Sequence, residues 1–205
     1  MKRTTPPKRK SQKGQRFTAD YIPYEAATIK GNELLWSDRQ MIVGFYIIFS
    51  INTGLRVSDV LDQRHKALAG KQPGDYLNLT ERKTRKHREI QLNKKVIEAY
   101  RYLQDQLIRK GTYDPQSHIF KSQKGTVYAI ESLNTILKDV FRGYAQHIST
   151  HSLRKSFGRH VYEINGRSED VLIKLSEMFQ HTSMAVTRRY LGIRREELGN
   201  IYMNL

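Results

Sequence analysis

The chain contains no cysteine, and this absence removes several kinds of chemistry at once. Disulfide bonds, thiolate zinc sites and a cysteine nucleophile are all excluded. The sequence also has no Walker-type phosphate loop, no His-Glu-x-x-His motif and no cluster of carboxylates of the kind that metal nucleases use. These common motifs for binding a metal ion or a nucleotide are thus missing from the sequence.

Long hydrophobic runs are missing as well. The longest apolar run, residues 41–51, is far shorter than the roughly 20 residues that a helix needs to span a bilayer. The basic N-terminus is not followed by the apolar region of a secretion signal. We expect no membrane partner, and the lack of cysteine fits a cytoplasmic protein.

Acidic residues are few in comparison with basic ones. The chain has 36 Lys and Arg against 20 Asp and Glu, which leaves a net charge of +16. Such an excess indicates a polyanionic partner, because each neutralised phosphate releases counterions and so favours association. The net charge alone only weakly distinguishes a nucleic-acid partner from an acidic membrane surface. The 205 residues suit one medium-sized domain, with or without an arm.

Residues 1–20 are interpreted as a flexible basic arm before a domain at residues 21–205. Prolines and a glycine interrupt any helix here, and no acid occurs before Asp20. The residues predicted to contact DNA phosphates are Lys8, Arg9, Lys10, Lys13 and Arg16. A solvated tail, or the remainder of a larger lost domain, explains the same composition equally well.

From residue 37 onward the pattern is mostly helical. Ser37, with Gln40 three positions later, predicts a capping box that opens a helix over residues 38–51. A short helix follows the Thr-Gly pair at residues 53–54. Further helices are predicted at residues 95–109, 132–144, 151–162, 169–179, 184–191 and 194–203. The predicted fold class is mainly α, or α+β by a looser count.

One β-hairpin is expected among these helices. Residues 76–79 and 88–92 alternate in polarity and flank the basic stretch 83–86, while residues 72–75 form a turn. Residues 119–120 are a candidate for one more short strand. The hairpin tip would therefore carry several positive charges.

Three short motifs hold residue types that bind and cleave phosphodiesters. Arg56 follows a Thr-Gly turn, His151 and Arg154 lie three residues apart on one helical face, and His181 precedes Tyr190 by nine residues. Taken singly, each motif is more often structural: a helix C-cap, a surface pair, or one of 12 tyrosines. Their occurrence together, in this order, indicates a functional site.

In combination these motifs resemble the tyrosine recombinases, also called the phage integrase family. That family has an arginine after a Thr-Gly turn, a lysine at a hairpin tip, a His-x-x-Arg box opening a helix, a second histidine and a tyrosine nucleophile. The resemblance covers residues 37–205, and the residues that match the family's catalytic positions are Arg56, Lys83, His151, Arg154, His181 and Tyr190. It implies the helical catalytic-domain fold of the family, with its small β-sheet.

The resemblance also implies roles for the arginines and histidines. Arg56 and Arg154 would grip the non-bridging oxygens of the scissile phosphate, as two guanidiniums suit a phosphate that gains negative charge in the transition state. His151 and His181 would donate hydrogen bonds or move protons near neutral pH. Positive side chains would thus replace metal ions, and neither metal nor ATP is required.

The lysine and the tyrosine complete the implied reaction. Lys83 would protonate the departing 5′ oxygen, with Lys86 the weaker choice for this role. Tyr190 would attack phosphorus and form a 3′-phosphotyrosyl ester that a 5′ hydroxyl later reverses. Tyr202 is a rival nucleophile in principle, but it lies 21 positions after His181 and its apolar neighbours predict that it packs.

Other residues are assigned weaker roles. Asp59, three residues after Arg56, matches an acid that often supports the family's site, although a carboxylate on a helix face is an equal alternative. Arg85 and Lys86 at the hairpin tip are candidate DNA contacts. His147 and His160, with His151, are not expected to bind a metal, because no acidic or cysteine partners stand at ligand spacing.

The sequence departs from the family pattern in two places. Gln180 stands before the second histidine, where glycine is common, and we expect it to alter the turn without moving His181. Full-length members also carry a separate core-binding domain of roughly a hundred residues, and the 36 residues before the first predicted helix leave no room for one. We expect either an isolated catalytic domain or one that relies on its arm and on partners.

The implied partner is double-stranded DNA at specific recombination sites. We expect a free monomer that forms a homotetramer on DNA. The last predicted helix offers an apolar stripe for docking on a neighbouring protomer, and folding back in cis is an equal alternative. The functional alternatives are a type IB topoisomerase-like DNA-relaxing enzyme and a non-catalytic DNA-binding regulator on the same scaffold.

Overall fold

The computed structural model describes residues 18–193, 199 and 201–204, and this part of the chain is mostly helical. The helices are α1 (Tyr24–Leu35), α2 (Met41–Thr53), α3 (Val57–Leu61), α4 (Lys94–Arg109), α5 (Ile130–Val140), α6 (Thr150–Ile164), α7 (Glu169–Phe179) and α8 (Met184–Tyr190). Strands β1 (Tyr76–Thr80) and β2 (His87–Gln91) form one antiparallel sheet. The predicted fold class and the predicted hairpin are confirmed.

Helix α2 forms the centre of the molecule. Nearly all of its residues are buried, and it packs against α1, α4 and α6. Helix α2 comes very close to α1 at Gly44, where an added Cβ would lie 2.1 Å from the backbone nitrogen of Leu35. The backbones of α1 and α2 therefore touch, and no side chain fits between them at this point.

Two separate cores lie within the described residues. The larger contains thirty buried residues from α1 to the start of α6, together with the hairpin. The smaller contains seven: Tyr162, Val171, Leu172, Leu175, Phe179, Leu191 and Ile193. Helix α6 joins the two, because Leu153 belongs to the large core and Tyr162 to the small one.

The predicted start of α2 is wrong. The helix begins at Met41, and Ser37 makes no side-chain cap. The backbone carbonyl of Ser37 instead accepts a hydrogen bond from Gln40 N–H (3.1 Å) in a turn that precedes the helix. The spacing of a serine and a glutamine is compatible with either arrangement, so the pattern did not distinguish them.

Helix α1 was not predicted at all. Its buried positions are Ala27, Gly31 and Leu35, spaced four apart along one face. Two of these residues are small, so the face has little hydrophobic signal in the sequence. It is helical because it packs closely on α2, which is a tertiary effect.

Other predicted boundaries differ by a few residues. Helix α5 starts at Ile130 and ends at Val140, earlier at both ends than predicted, whereas α7 matches the prediction. Residues 119–120 are not a strand; isolated bridges pair Arg64 with His118 and Lys121 with Val127 on either side of them.

The two ends of the chain extend past the described residues. The predicted arm contacts Lys8, Arg9, Lys10, Lys13 and Arg16 all lie outside them, as does much of the predicted helix at residues 194–203. Asp20 does belong to the packed structure, since its carboxylate accepts the backbone N–H groups of Gln146 (3.2 Å) and His147 (2.9 Å). None of the helices formed by the described residues has the length and hydrophobicity to cross a membrane.

Candidate active site

The turn after α2 places Arg56. Gly54 ends the helix in the left-handed conformation (φ 60°), and its N–H donates to Ser50 O (3.0 Å). A Cβ at Gly54 would lie 2.3 Å from the ring of Phe157, so glycine is needed for both its backbone conformation and its packing. Arg56 is the N-cap residue of α3 and lines a cleft.

Helix α6 supplies the second arginine. Ser149 and Ser152 form a capping box that fixes the first turn of the helix. Arg154 lies one turn later and is 5% exposed. Its Nη1 donates to Gly54 O, and its guanidinium carbon lies 4.5 Å from the centre of the Phe179 ring. Burial lowers the pKa of Arg154 to about 10, so it remains a cation at neutral pH.

The C-terminus of α7 holds both guanidiniums in place. Phe179 O accepts a hydrogen bond from Arg56 Nη2 (3.2 Å) and another from Arg154 Nη2 (3.3 Å). Carbonyls in the last turn of a helix have no partner within the helix and carry partial negative charge, so they suit a cation. The sequence motifs did not predict a role for Phe179, because its backbone carbonyl makes these bonds. Every residue type has such a carbonyl, so the sequence cannot indicate it.

Gln180 and His181 form the turn that follows. Gln180 adopts the left-handed conformation (φ 56°), which is the conformation that a glycine at this position would favour. His181 Nδ1 is 2.9 Å from Oγ1 of Thr187, a residue fully buried in α8. The substitution at 180 thus leaves His181 anchored. Thr187 is a second residue of the site that the motifs did not predict.

Tyr190 lies at the end of α8 with its ring among other aromatic groups. The centres of the Phe179 and His181 rings are 5.5 Å and 5.1 Å from its own, both in edge-on geometry. Lys155 Nζ lies 5.0 Å from the Tyr190 ring centre. The phenol oxygen is buried, and the Arg154 guanidinium is the charged group that acts on it most strongly.

The surroundings of Tyr190 keep its hydroxyl protonated. Burial raises the pKa of Tyr190 to about 12, although the positive charges of Arg154 and Arg56 oppose the increase. Partial burial lowers the pKa of His181, and the charges of the same two arginines lower it further. A protonated phenol therefore lies beside an imidazole that is neutral at pH 7 and able to accept a proton.

The hairpin brings its lysine, Lys83, to the same cleft. Lys83 lines the cleft together with His151, whose pKa is lowered by burial and by the charges of Arg154, Lys155 and Lys83. Arg85 and Lys86 are exposed at the hairpin tip and do not line the cleft. The geometry therefore favours Lys83 over Lys86 for a role in the cleft.

Asp59 is buried, and its carboxylate does not bond to the Arg56 guanidinium, although its backbone N–H donates to Arg56 O (2.9 Å). Its Oδ1 accepts the backbone N–H of Arg82 (2.9 Å), at the start of the hairpin loop, while Arg56 Nη1 bonds to Glu81 Oε2. The acid that bonds to the Arg56 guanidinium is thus one that sequence reasoning did not select. Residue spacing alone could not have identified Glu81, because it follows Arg56 by 25 positions.

All the predicted catalytic positions meet in this one cleft of about 410 Å³. Its lining includes Arg56, Lys83, His151, Arg154, His181 and Tyr190. Tyr202 does not line it, and Tyr202 is 77% exposed, so the prediction that this tyrosine packs is wrong for the described part of the tail. No three His, Asp or Glu side chains within the described ranges are grouped as a metal site would need.

Comparison with known proteins gives matches over most of the chain. The model of the phage integrase family matches residues 27–197. A probable integrase/recombinase of Bacillus subtilis (strain 168), YoeC, is 33% identical over 152 residues, which cover 73% of this chain and 76% of YoeC.

Several solved structures share the fold. The crystal structure of XerA recombinase superimposes with a TM-score of 0.65 at 21% identity, covering 98% of this chain and 66% of XerA. XerH site-specific recombinase bound to difH substrate gives 0.66 at 21% identity, covering 90% of this chain and 53% of XerH. The catalytic domain of bacteriophage HP1 integrase gives 0.55 at 18% identity, covering 84% and 86%. The chain therefore spans two thirds or less of XerA and XerH, but most of the isolated catalytic domain.

Proposed function

This chain belongs to the phage integrase family of tyrosine recombinases, and we propose that it cleaves and rejoins DNA at specific sites through Tyr190. One observation carries the proposal: Tyr190 lines a cleft together with two arginines, two histidines and a lysine. Each of these groups serves the transfer of a phosphoryl group. The family membership confirms the resemblance inferred from the motifs.

In the proposed reaction Tyr190 Oη bonds to phosphorus as the bond from phosphorus to the 5′ oxygen breaks. The phenol proton passes to a neutral imidazole, His151 or His181, and Lys83 gives a proton to the departing 5′ oxygen. The negative charge that builds on the non-bridging oxygens is met by Arg56 and Arg154. Attack by a 5′ hydroxyl on the 3′-phosphotyrosyl ester reverses the steps. Neither a metal ion nor ATP takes part.

The test is covalent capture on nicked duplexes derived from the flanks of the encoding gene. A nick close to the cleaved bond lets the short product diffuse away, so the protein remains attached to DNA. We expect an adduct with the native chain and none with Tyr190→Phe, which loses only the attacking hydroxyl. Tyr202→Phe is the matched control and should form the adduct normally. Adduct formation by Tyr190→Phe would contradict the proposal, and relaxation of plasmids without site preference would favour the topoisomerase alternative.

The role of Lys83 has its own test. Lys83→Ala should cleave an ordinary phosphate slowly. Its cleavage rate should recover at a 5′-bridging phosphorothiolate, because a sulfur leaving group needs no proton. Lys86→Ala is the control from the same loop. Rescue in Lys86→Ala and not in Lys83→Ala would transfer the role to Lys86.

The proposed partner is double-stranded DNA, and two of the structural relatives, XerH recombinase and the Tn1549 transposon integrase, are described in complexes with DNA. We further propose that residues 1–20 form a basic arm beside a catalytic domain at residues 21–205, and that the arm joins the packed structure at Asp20. Seven basic residues occur before the first acid, so deletion of residues 1–16 should weaken DNA binding and flatten its dependence on salt. An unchanged slope of log affinity against log salt would refute the arm contacts.

For assembly we propose a free cytoplasmic monomer and a homotetramer on paired DNA sites. Ile201, Tyr202 and Met203 are 59%, 77% and 85% exposed, so these apolar side chains are available to a neighbouring protomer. Deletion of residues 196–205 should reduce synapsis more than single-site binding. Normal yields of four-subunit complexes would refute a connecting role, and unfolding of the truncated chain would show that the tail folds in cis.

A further inference from the structure

Glu81 is a fully buried carboxylate between the hairpin and the α3 turn. It is 0% exposed and stands at the point where β1 enters the loop that carries Lys83. Its Oε2 accepts hydrogen bonds from Arg56 Nη1 (2.5 Å) and Thr84 Oγ1 (2.8 Å), and its Oε1 accepts one from Arg88 Nη1 (3.1 Å). Both oxygens are therefore engaged by cations or by the loop itself.

The environment keeps Glu81 ionised. Burial alone would raise the pKa of its carboxyl, but hydrogen bonds from Thr84, Arg88 and Arg56, with the charge of Arg56, hold that pKa below its ordinary value. A buried carboxylate without partners is strongly destabilising. Arg88 on β2 provides a second cation, so Arg56 is not needed to neutralise Glu81. Neutralising the buried acid therefore does not by itself explain why Glu81 also contacts Arg56.

A second contact joins the same two segments. Asp59 in α3 accepts the backbone N–H of Arg82, the residue after Glu81. The loop is closed by Glu81 N–H donating to Lys86 O (3.0 Å) and by Arg85 N–H donating to Glu81 O (2.9 Å). Arg56 and Asp59 therefore hold adjacent residues at the base of the loop whose tip presents Lys83.

We propose that Glu81 is a positioning residue that aims Arg56 at the scissile phosphate and couples that arginine to the Lys83 loop. A guanidinium has five N–H donors. Glu81 engages one on Nη1 and Phe179 O engages one on Nη2, so the remaining donors are held in a fixed orientation for phosphate. Fixing the donors before the reaction removes the cost of reorienting them as charge develops. The inference rests on the proposed function.

The experiment measures single-turnover adduct formation with Glu81→Gln on the nicked duplex. The control is Glu89→Gln, since Glu89 lies on the same hairpin, is 61% exposed and pairs only weakly with His87 (3.8 Å). We expect Glu81→Gln to slow the step by roughly 10- to 100-fold, as for other residues that orient a reactive group, and Glu89→Gln to react as the native chain does.

A second substrate separates positioning from general damage. A methylphosphonate at the cleaved position replaces one charged oxygen by a methyl group, so the transition state carries less charge and depends less on Arg56. On this substrate Glu81→Gln should form the adduct only a few-fold more slowly than the native chain. An equal deficit on both substrates, or rates equal to those of Glu89→Gln on both, would overturn the proposal.

Thermal melting of every variant accompanies the kinetics. If Glu81→Gln does not fold, Glu81→Asp carries the same comparison, because it keeps the charge but withdraws it by one methylene from Arg56. Unfolding of both variants would overturn the proposal by making Glu81 a stability element. Tyr190→Phe is measured in parallel: an adduct in that variant refutes the proposed function, whereas its absence together with a normal rate in Glu81→Gln refutes only the positioning role.

Discussion

The large core around α2 and the small core between α7 and α8 carry different parts of the cleft. Thirty buried residues support the turn with Arg56 and the hairpin with Lys83, and seven support the segment with His181 and Tyr190. Arg154 projects from α6, which joins the two cores. Burial of apolar surface is the main stabilising term in folding, so a region that buries less opens at a lower free-energy cost. We therefore expect the half that carries Arg56 and Lys83 to be rigid and the half that carries His181 and Tyr190 to open more readily.

The close contacts in the two cores differ in kind as well. At Gly44 in the large core, an added Cβ meets backbone, whereas at Gly158 in the small core it meets side-chain atoms of Leu191 and Phe179. Backbone cannot yield without moving a helix, but side chains can change rotamer. The same substitution, Gly to Ala, should thus affect mainly the stability of the large core and mainly the geometry around Tyr190 in the small core.

The largest expected effect is that of Gly44→Ala. Its Cβ would lie 2.1 Å from Leu35 N, and forcing the two helices apart should lower the free energy of unfolding by about 3 kcal/mol. Urea denaturation measures this loss. Gly31→Ala is the control in the facing helix, because its Cβ meets movable side-chain atoms of Ile48 and Ile47, and it should cost less. A native-like midpoint for Gly44→Ala would refute the rigid contact.

The large core should also be the more sensitive to acid, through His65. This imidazole is 2% exposed, and burial, with the charge of Lys121, lowers its pKa to about 4. Between that value and the ordinary 6.5 the unfolded chain binds a proton that the folded chain does not, so stability is complete above pH 6.5 and falls as the pH decreases towards 4. The contribution is on the order of 3 kcal/mol. Urea midpoints between pH 7 and 4.5 should fall less steeply in His65→Gln than in the native chain, and equal slopes would contradict this account.

Gly158→Ala should have a smaller effect on stability and a larger one on chemistry. Its Cβ would lie 2.7 Å from Leu191 Cδ2 and 2.9 Å from the Phe179 ring, and both side chains flank Tyr190. We expect a loss of about 1 kcal/mol in unfolding free energy, with slower adduct formation and unchanged DNA affinity. Adduct formation at the native rate would show that the small core tolerates the shift without moving the tyrosine.

The smallest expected effect is a gain in stability from Gln180→Gly. Gln180 has a φ of 56°, and relief of this left-handed conformation should stabilise the chain by about 0.5 kcal/mol, because the greater freedom of glycine in the unfolded chain offsets part of the gain. Arg167→Gly, at a φ of 57° after α6, is the matched control and should give a similar gain in thermal melting. A loss of stability in Gln180→Gly alone would mean that the glutamine side chain contributes packing that outweighs its strain.

Local patterns predicted a large part of the site. Gly54 with Arg56, the pair His151 and Arg154, and the interval from His181 to Tyr190 are all short-range features that depend on one turn or one helix face. The hairpin at Lys83 was predicted from alternation of polar and apolar residues. Such features are readable because their geometry is set by residues within a few positions of one another.

The contacts that orient these groups were not predictable in that way. Helix α1 was missed because its buried face consists of small residues, and the start of α2 was misplaced because a serine and glutamine pair fits a turn as well as a cap. Asp59 was selected for its distance from Arg56 along the chain, yet it holds the hairpin loop.

By itself, then, the sequence determined which groups could do the chemistry: two arginines, two histidines, a lysine and a tyrosine in a characteristic order. Only the tertiary structure decided what holds them, namely the buried carboxylate of Glu81 and the carbonyl of Phe179. These partners lie 25 and 123 positions from Arg56 along the chain. The physical reason is that a carbonyl at a helix end and an acid at a loop base acquire their role only when packing brings a cation to them and removes water.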